Sequence, residues 1–290
     1  MRIAENWKDY KILDTSNGEK LERWGKTILV RPDPQIIWNT PRSSSLWGKN
    51  DGHYKRSSSG GGKWNNDSIM QKEWIISYQD LKFYIRPTGF KHTGLFPEQA
   101  VNWDYMRNSI KSFHKKPSEI RILNLFAYTG GATLACAAAG ANVCHVDASK
   151  GMVAWARDNA RLSGLEDKPI RWIVDDCKKF VEREIRRNNR YDGIIMDPPS
   201  YGRGPSGETW KLEENIFDFV SLCSKLLSDA PLFFILNSYT TGLSPSVMSY
   251  ILGTAINNNK KANIFADEIG LPVESTGLIL PCGSTAIAQF

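Results

Sequence analysis

The sequence predicts an α/β fold: an open, mostly parallel sheet with crossover helices, preceded by a small β-rich N-terminal domain. Three observations carry this. From about residue 121 onward, short apolar runs alternate with segments of helical periodicity, the pattern of βαβ units. Several of those runs end on an acid or a tight turn, where open α/β sheets place their ligands. The first 95 residues lack the alternation and are broken up by prolines and glycines.

Within residues 1–95, "KTILVRPD" and the pair "EWIISYQD" and "LKFYIRP" read as strands. Residues 42–64 lie between them. This stretch is rich in serine and glycine, basic, and punctuated by Trp47, His53, Tyr54 and Trp64, so it reads as a flexible loop. Residues 96–113, "FPEQAVNWDYMRNSIKSF", read as a helix that joins the N-terminal domain to a second domain over 96–290. There "RILNLFAY" is the first strand, and "TGGATLACAAAG" is a tight turn with an alanine-rich helix closed by glycine. "ANVCHVDA" is the second strand, followed by a helix with Ser149 as its N-cap and Gly164 past its end. "IRWIVDDC" and "YDGIIMD" are the third and fourth strands, and a long loop follows Asp197. "LEENIFDFVSLCSKLLS" has helical spacing, "PLFFILNS" is the fifth strand, and residues 246–257 read as helix. "NIFADEIG" and "GLILPCGSTAIAQF" close the sheet as two further strands, seven in all.

The 290 residues allow one large domain with an appendage, or two domains, and the 41% apolar content is ordinary for a globular chain. No stretch approaches the ~18 apolar residues of a membrane helix, and the N-terminus lacks the apolar core of a signal peptide. The expectation is a cytoplasmic protein with no membrane partner. Five cysteines, odd in number and never closely spaced, argue against a disulfide framework and against a zinc cluster; no metal is expected. Charge is uneven. Residues 1–95 hold 16 Lys and Arg against 10 Asp and Glu, whereas residues 96–290 hold 21 of each. Six of the ten tryptophans also lie in the first 95 residues. Cations meet phosphates and rings stack on bases, so this combination suits nucleic acid; an aromatic core under a solvated basic surface accounts for it equally well.

A nicotinamide or flavin enzyme places G-x-G-x-x-G after the first strand, so that backbone amides can approach a pyrophosphate. Here the stretch is Phe126-Ala127-Tyr128-Thr129-Gly130-Gly131-Ala132, and the spacing fails. A cofactor without phosphate needs only one tight turn, and S-adenosylmethionine is such a cofactor. Its ribose hydroxyls call for an acid at the end of the second strand, where Asp147 stands 17 residues after Gly130. Its adenine calls for a polar group at the end of the third, where Asp175 and Asp176 stand. Acids at the ends of the second, third and fourth strands of one sheet make a coherent set, although any single one could be only an N-cap.

"NLFAYTGG", "HVDAS", "VDDC" and "MDPPSYGRG" resemble the successive motifs of class I S-adenosylmethionine-dependent methyltransferases. With "FKHTGLFPEQAVNW", the chain is similar to the branch containing the large-subunit ribosomal RNA methyltransferases that act on cytosine C5 or guanine N7. The resemblance covers roughly residues 85–290. It implies a Rossmann-like sheet of seven strands, mostly parallel, with the last strand antiparallel. It implies S-adenosylmethionine as cofactor and structured RNA, ribosomal by analogy with the branch, as partner; the oligomeric state stays open. Residue by residue, it implies that Phe126, Ala127, Tyr128, Thr129 and Gly130 wrap the methionine part. Asp147 binds the ribose, with Ala148 and the capping Ser149 beside it. Asp176 and the Cys177 backbone read adenine, and Thr93, Phe96 and Gln99 cover the cofactor. Asp197, Pro198, Pro199, Ser200 and Tyr201 form the catalytic wall between cofactor and target.

Proline fixes φ and lacks an N–H, so the carbonyls of an Asp-Pro-Pro segment can accept from a base amino group. In amino-methylating enzymes an aromatic follows the two prolines directly and stacks on the flipped base. Here Ser200 holds that place and Tyr201 comes one later, which weakens an exocyclic-amine target. Cytosine C5 needs a cysteine to add at C6 first. Relatives of that type have one after the fifth strand, where this sequence reads "LNSYTTG"; Cys282 is the remaining candidate in a loop-like setting. A ring nitrogen such as guanine N7 attacks through its own lone pair, and the reading leans that way. Two alternatives remain: the same cofactor with a small-molecule or protein substrate, and a non-catalytic RNA-binding protein that keeps the fold.

Overall fold

A computed structural model describes the protein over residues 1–57, 61–65, 70–203, 209–240, 242–256 and 261–290. The chain divides into two compact units. One comprises Arg2–Ala100 with Gly270–Cys282; the other comprises Val101–Ile269 with Gly283–Phe290, and Met1 is counted with it. The boundary read at residues 95 and 96 therefore falls five residues later, within the helix. Thirteen residues from near the C-terminus also return to the first unit, a long-range association with no local signal.

The larger unit carries helix α1 (Ala100–Ser112) and then alternates: β1 (Arg121–Leu125), α2 (Gly131–Ala138), β2 (Asn142–Asp147), α3 (Lys150–Leu162), β3 (Ile170–Val174), α4 (Cys177–Arg186), β4 (Gly193–Met196), α5 (Leu212–Ser224), β5 (Phe233–Ser238), α6 (Pro245–Ile256), β6 (Asn263–Pro272) and β7 (Ile279–Gln289), the end of β6 from Gly270 and the start of β7 up to Cys282 being counted with the first unit. The strand order is β6-β7-β5-β4-β1-β2-β3. β1 to β5 pair in parallel, and β7 runs antiparallel to β5, from Phe233 opposite Gln289 to Ser238 opposite Ser284. This is the mostly parallel sheet with an antiparallel last strand that the motifs imply.

The central strands are apolar because both faces are covered. On one face Leu123, Leu125, Val146, Met196 and Leu236 form a single core with Phe180 of α4, Phe219 and Val220 of α5, and Met248 and Leu252 of α6. Alternation turns Asn124 and His145 to the other face, where both bond to Thr133 of α2 at 2.9 Å. The order reverses between β1 and β4, so their carboxyl ends open the crevice in which α/β sheets bind ligands.

The first unit holds a five-stranded sheet, in the order Tyr10–Ser16, Glu19–Trp24, Thr27–Pro32, Gly52–Arg56, Gly62–Asn65, and a separate hairpin of Trp74–Tyr78 and Leu81–Ile85. The first hairpin escaped the sequence reading, although Asn17-Gly18 is the turn dipeptide that marks one; both residues have positive φ, 51° and 76°. The region read as a flexible loop over 42–64 holds the strands Gly52–Arg56 and Gly62–Asn65, paired from His53–Asn65 to Arg56–Gly62; residues 58–60 lie outside the described residues. Tyr54 and Trp64 are buried there, ring edge to ring face at 5.4 Å, and burial of two large rings offsets the flexible composition. Trp7, Tyr10 and Trp24 pack in the same unit, and none of its six tryptophans is exposed. Trp7, Trp24 and Trp64 thus serve the core, while Trp38, Trp47 and Trp74 are half-buried.

Candidate cofactor and target site

Three strand ends build the site. After β1 the chain makes a tight turn in which Phe126 and Tyr128 take positive φ (54° and 50°) and Gly130 takes φ 89°. A side chain at Gly130 would be strained by that φ, and its Cβ would stand 3.0 Å from the Ala156 Cβ of α3. The turn is fixed by its neighbours. Phe126 N–H donates to Cys177 Sγ at 3.3 Å, Ala127 N–H to Val146 O at 3.1 Å, and Asn159 Nδ2 to Thr129 O at 2.9 Å. Ala127, Thr129 and Gly130 are buried; Phe126 and Tyr128 are half-buried.

Asp147 ends β2. Its Oδ2 accepts from Tyr128 N at 2.9 Å and its Oδ1 from Ser149 N at 2.8 Å. A carboxylate has about four acceptor positions, so each oxygen keeps a lone pair for a further donor. Burial raises this carboxyl above the usual aspartate range, and the two N–H groups hold the shift back. Ala148 and Ser149 are exposed beside it, and Ser149 Oγ caps α3 by accepting from Met152 N at 3.4 Å.

At the end of β3 the two acids part company. Asp175 is tied up: its Oδ1 accepts from Asp176 N at 2.9 Å and its Oδ2 pairs with Arg183 Nη2. Asp176 is the N-cap of α4, with Oδ1 accepting from Lys179 N at 2.9 Å. The capping alternative is therefore real for Asp176, and it uses one of its two oxygens.

After β4 come Asp197, half-buried, Pro198, buried, and Pro199 and Ser200, exposed. In place of a plain long loop, Tyr201–Arg203 pairs antiparallel with Thr209–Lys211, and Tyr201 is 53% exposed; residues 204–208 lie outside the described residues. Three side chains unassigned by the sequence reading hold this segment. Trp210 Nε1 donates to Pro199 O at 2.6 Å and Thr240 Oγ1 meets Ser200 Oγ at 2.6 Å. Asn237 Nδ2 reaches Met196 O at 3.4 Å, and its Oδ1 accepts from Asn102 Nδ2 at 3.1 Å and from Thr285 Oγ1 at 2.7 Å. Trp210 also packs 5.7 Å from the ring of Phe126. A tryptophan in an otherwise small and polar loop was the available signal for it.

The structure thus gathers Phe126 to Gly130, Asp147 to Ser149, Asp176, Cys177 and Asp197 to Tyr201 at the carboxyl ends of adjacent strands of one unit. Thr93, Phe96 and Gln99 belong to the first unit. There Thr93 is buried and Arg86 N donates to its carbonyl at 3.0 Å, Phe96 packs 5.5 Å from the ring of His92, and Gln99 is buried with its N–H on Phe96 O at 3.1 Å.

A single αL turn, a carboxylate with spare lone pairs and the absence of a glycine cradle fit an adenosyl cofactor without phosphate. Among the described residues no helix is long and apolar enough to cross a membrane. A SAM-dependent methyltransferase of Agrobacterium tumefaciens shares the architecture over 100% of this chain and 93% of its own, with 33% identity and a TM-score of 0.91. A methyltransferase from Streptococcus mutans, 16% identical with a TM-score of 0.74 over 98% of this chain and 76% of its own, shares the fold. The ribosomal RNA large subunit methyltransferase K/L of Shewanella baltica is 34% identical over 158 residues, 54% of this chain and 21% of that protein. Its namesake from Pseudoalteromonas atlantica is 32% identical over 158 residues, 53% of this chain and again 21% of its own. The chain spans about a fifth of the length of the curated relatives it matches. The family described as S-adenosylmethionine-dependent methyltransferase matches residues 49–219, and by that match and the full-length likeness the chain belongs to it, an enzyme whose cofactor is S-adenosylmethionine.

Proposed function

We propose that the enzyme methylates a base of structured RNA, with ribosomal RNA as substrate class and the cytoplasm as its place of action. The observation that carries this reading is the likeness to the K/L proteins, whose name places their action on large-subunit ribosomal RNA. The basic excess of residues 1–95 supports it through phosphate contacts.

S-adenosylmethionine supplies a methyl carbon already activated by its sulfonium. The remaining work falls to the chain. Asp147 accepts from the ribose hydroxyls with the lone pairs left free by Tyr128 and Ser149. The second oxygen of Asp176 and the Cys177 N–H face adenine, and the turn from Phe126 to Gly130 holds the methionine part. Asp197 to Tyr201 hold the target atom in line with the departing sulfur, which is the main demand of a displacement.

The target is a ring nitrogen. Carbon methylation at cytosine C5 requires a thiolate nucleophile. Cys136, Cys144, Cys177 and Cys223 are buried and Cys282 is half-buried. Burial pushes every one of these thiols up, Cys144 to about 11. Tritium transfer from labelled cofactor to total RNA, protein and metabolite extracts, followed by nucleoside mass spectrometry, tests the reading. Label in a base methylated at a ring nitrogen supports it; label confined to protein or metabolites, or a product methylated at cytosine C5 or at an exocyclic amine, overturns it.

A further inference from the structure

Residues 96–290 carry no net charge, yet the charge within them is uneven: residues 168–190 hold eight Lys and Arg against four Asp and Glu. Arg121, Arg171, Arg183, Arg186, Arg187 and Arg190 are six of the chain's sixteen arginines, and the larger unit draws them onto one surface. Cys144 of β2 stands opposite both Leu123 and Arg171. Arg121, two residues before Leu123, therefore leaves the sheet on the same face as Arg171, the face that α4 covers. Arg171 and Arg183 both lie over the ring of Phe180, at 5.7 and 5.8 Å. Arg171 and Arg187 both reach Glu184 Oε1, at 3.6 and 3.4 Å. Arg121 lies over the ring of Tyr191 at 5.1 Å, and Tyr191 OH donates to Glu184 Oε2 at 2.6 Å. Asn189 Nδ2 donates to the same oxygen at 2.9 Å, and its carbonyl accepts from Arg190 Nη1 at 3.0 Å. Arg186 stands three residues after Arg183, on the same side of α4.

The acids nearby do not balance this surface. Glu184 is buried, and the donors just named occupy both of its oxygens. Asp175 pairs with Arg183, and Glu182 is half-buried on α4. Asp192 accepts from Arg121 N at 2.9 Å and pairs with Lys115 at 2.6 Å. The six arginines and Lys115 thus face four carboxylates, and Arg121, Arg171, Arg186, Arg187 and Arg190 are exposed. The dipole at the carboxyl end of α4 favours cations, which accounts for Arg186 and Arg187. It does not account for Arg121 and Arg171, which come from strands β1 and β3.

The geometry points to a docking surface for the phosphate backbone of a duplex RNA stem, gripped by Arg121, Arg171, Arg186, Arg187 and Arg190. A guanidinium fork matches a phosphate with two parallel N–H donors, and crowded cations are relieved by a polyanion. The rings beneath the arginines, Phe180 and Tyr191, are buried, so the surface offers nothing on which an unpaired base could stack. A stem needs no such ring, because its bases are already stacked and its shape is read through the backbone. The surface follows α4, about 15 Å for a helix of this length, from Asp175 at the end of β3 to Arg121 at the start of β1. One end of a stem held there lies towards the carboxyl ends of the strands, where the methyl group is transferred. The inference rests on the RNA reading above and specifies how the substrate is gripped.

The test is fluorescence anisotropy of the full chain with a labelled RNA stem-loop over a salt series, beside the tritium transfer to RNA. Two double variants are compared with the wild type: Arg171→Gln with Arg187→Gln, and Arg186→Gln with Arg190→Gln, the second leaving the partners of Glu184 in place. Each flattens the salt slope by about 1.8, since every duplex phosphate contact accounts for ~0.9. Cofactor affinity by calorimetry stays unchanged in both, which shows that they are folded. An unchanged slope in either folded variant overturns the surface; if wild-type label still enters RNA, the proposed reaction survives. Wild-type label absent from RNA, with the flattened slopes intact, overturns the reaction and keeps the surface. An unstructured oligouridylate that binds as tightly and loses as much slope overturns the assignment to a duplex, and polyglutamate competing as strongly as the stem-loop overturns the assignment to RNA.

Discussion

Trp210 donates its indole N–H to the carbonyl oxygen of Pro199 at 2.6 Å while its ring lies 5.7 Å from Phe126 and 5.6 Å from Phe219. One side chain therefore ties the segment after β4 to the turn after β1, the two sides between which a methyl group is to pass.

Trp210→Phe keeps most of the packing and removes the donor. Cofactor affinity is expected to stay within a few-fold and kcat to fall by roughly 10- to 100-fold, because an ångström of misplacement at a reacting atom costs about that much. Pre-steady-state turnover beside calorimetry reads the split. An unchanged kcat, or a loss of affinity as large as the loss of kcat, would show that the bond to Pro199 does not align the target.

Asp147→Ala is expected to weaken cofactor binding by ~1–3 kcal/mol, the usual loss when a charged acceptor is removed. Asp147→Asn keeps one acceptor and loses less. Since the carboxyl is raised above the ordinary aspartate range, affinity is constant at neutral pH and falls as acid protonates it, at a higher pH than an ordinary aspartate would require. Calorimetry from neutral to acid pH checks this. An affinity that holds in a folded Asp147→Ala removes the residue from the site.

Asp197→Ala is expected to keep cofactor affinity within a few-fold and to lose on the order of 100-fold in rate. Cys282→Ser keeps its activity if the target is a nitrogen. A folded, cofactor-binding Cys282→Ser without activity would point to carbon methylation instead, and an active Asp197→Ala would reduce the Asp-Pro-Pro segment to a strand stop.

Stability should fall on mild acidification. Burial holds His145 at about 3 and His92 at about 4, whereas both imidazoles titrate near 6.5 in an unfolded chain. The unfolded state therefore binds more protons in that interval. The stabilisation is complete above pH 6.5 and is lost as pH falls towards 4 and 3, by up to ~1.4 kcal/mol per pH unit for each group. His145→Asn leaves an amide for Thr133 Oγ1, now 2.9 Å from His145 Nδ1, and should halve the slope. Guanidinium unfolding at several pH values measures it; an equal slope in the variant excludes His145 as a source.

What the sequence disclosed was local. The alternation of strands and helices, the N-cap Ser149, and the acids at successive strand ends all depend on residues a few positions apart, where spacing and residue type carry the signal. Asn237 was quoted in "LNSYTTG" without a role, because its partners Asn102 and Thr285 stand 135 and 48 residues away and polar residues carry no periodicity. Trp210 likewise read as one more aromatic in a loop. The glycine-rich stretch misled for a related reason: Tyr54 and Trp64 fix it by burial, and composition averages those two rings away.

The return of Gly270–Cys282 to the first unit has a consequence for how the protein is made. Ala4 N donates to Gly270 O at 3.0 Å, Glu274 N to Ile12 O at 2.9 Å, and Ser275 Oγ to Asp14 Oδ1 at 2.7 Å. These partners leave the ribosome about 170 residues after Ala100, which at ~5–20 residues per second is a delay of roughly 10–35 s. The nascent first unit spends that time with one edge of the strand Tyr10–Ser16, the one that meets Val273 and Glu274, unpaired. Maturation must wait for the last tenth of the chain, and a fragment ending at Ala100 would carry the same open edge permanently.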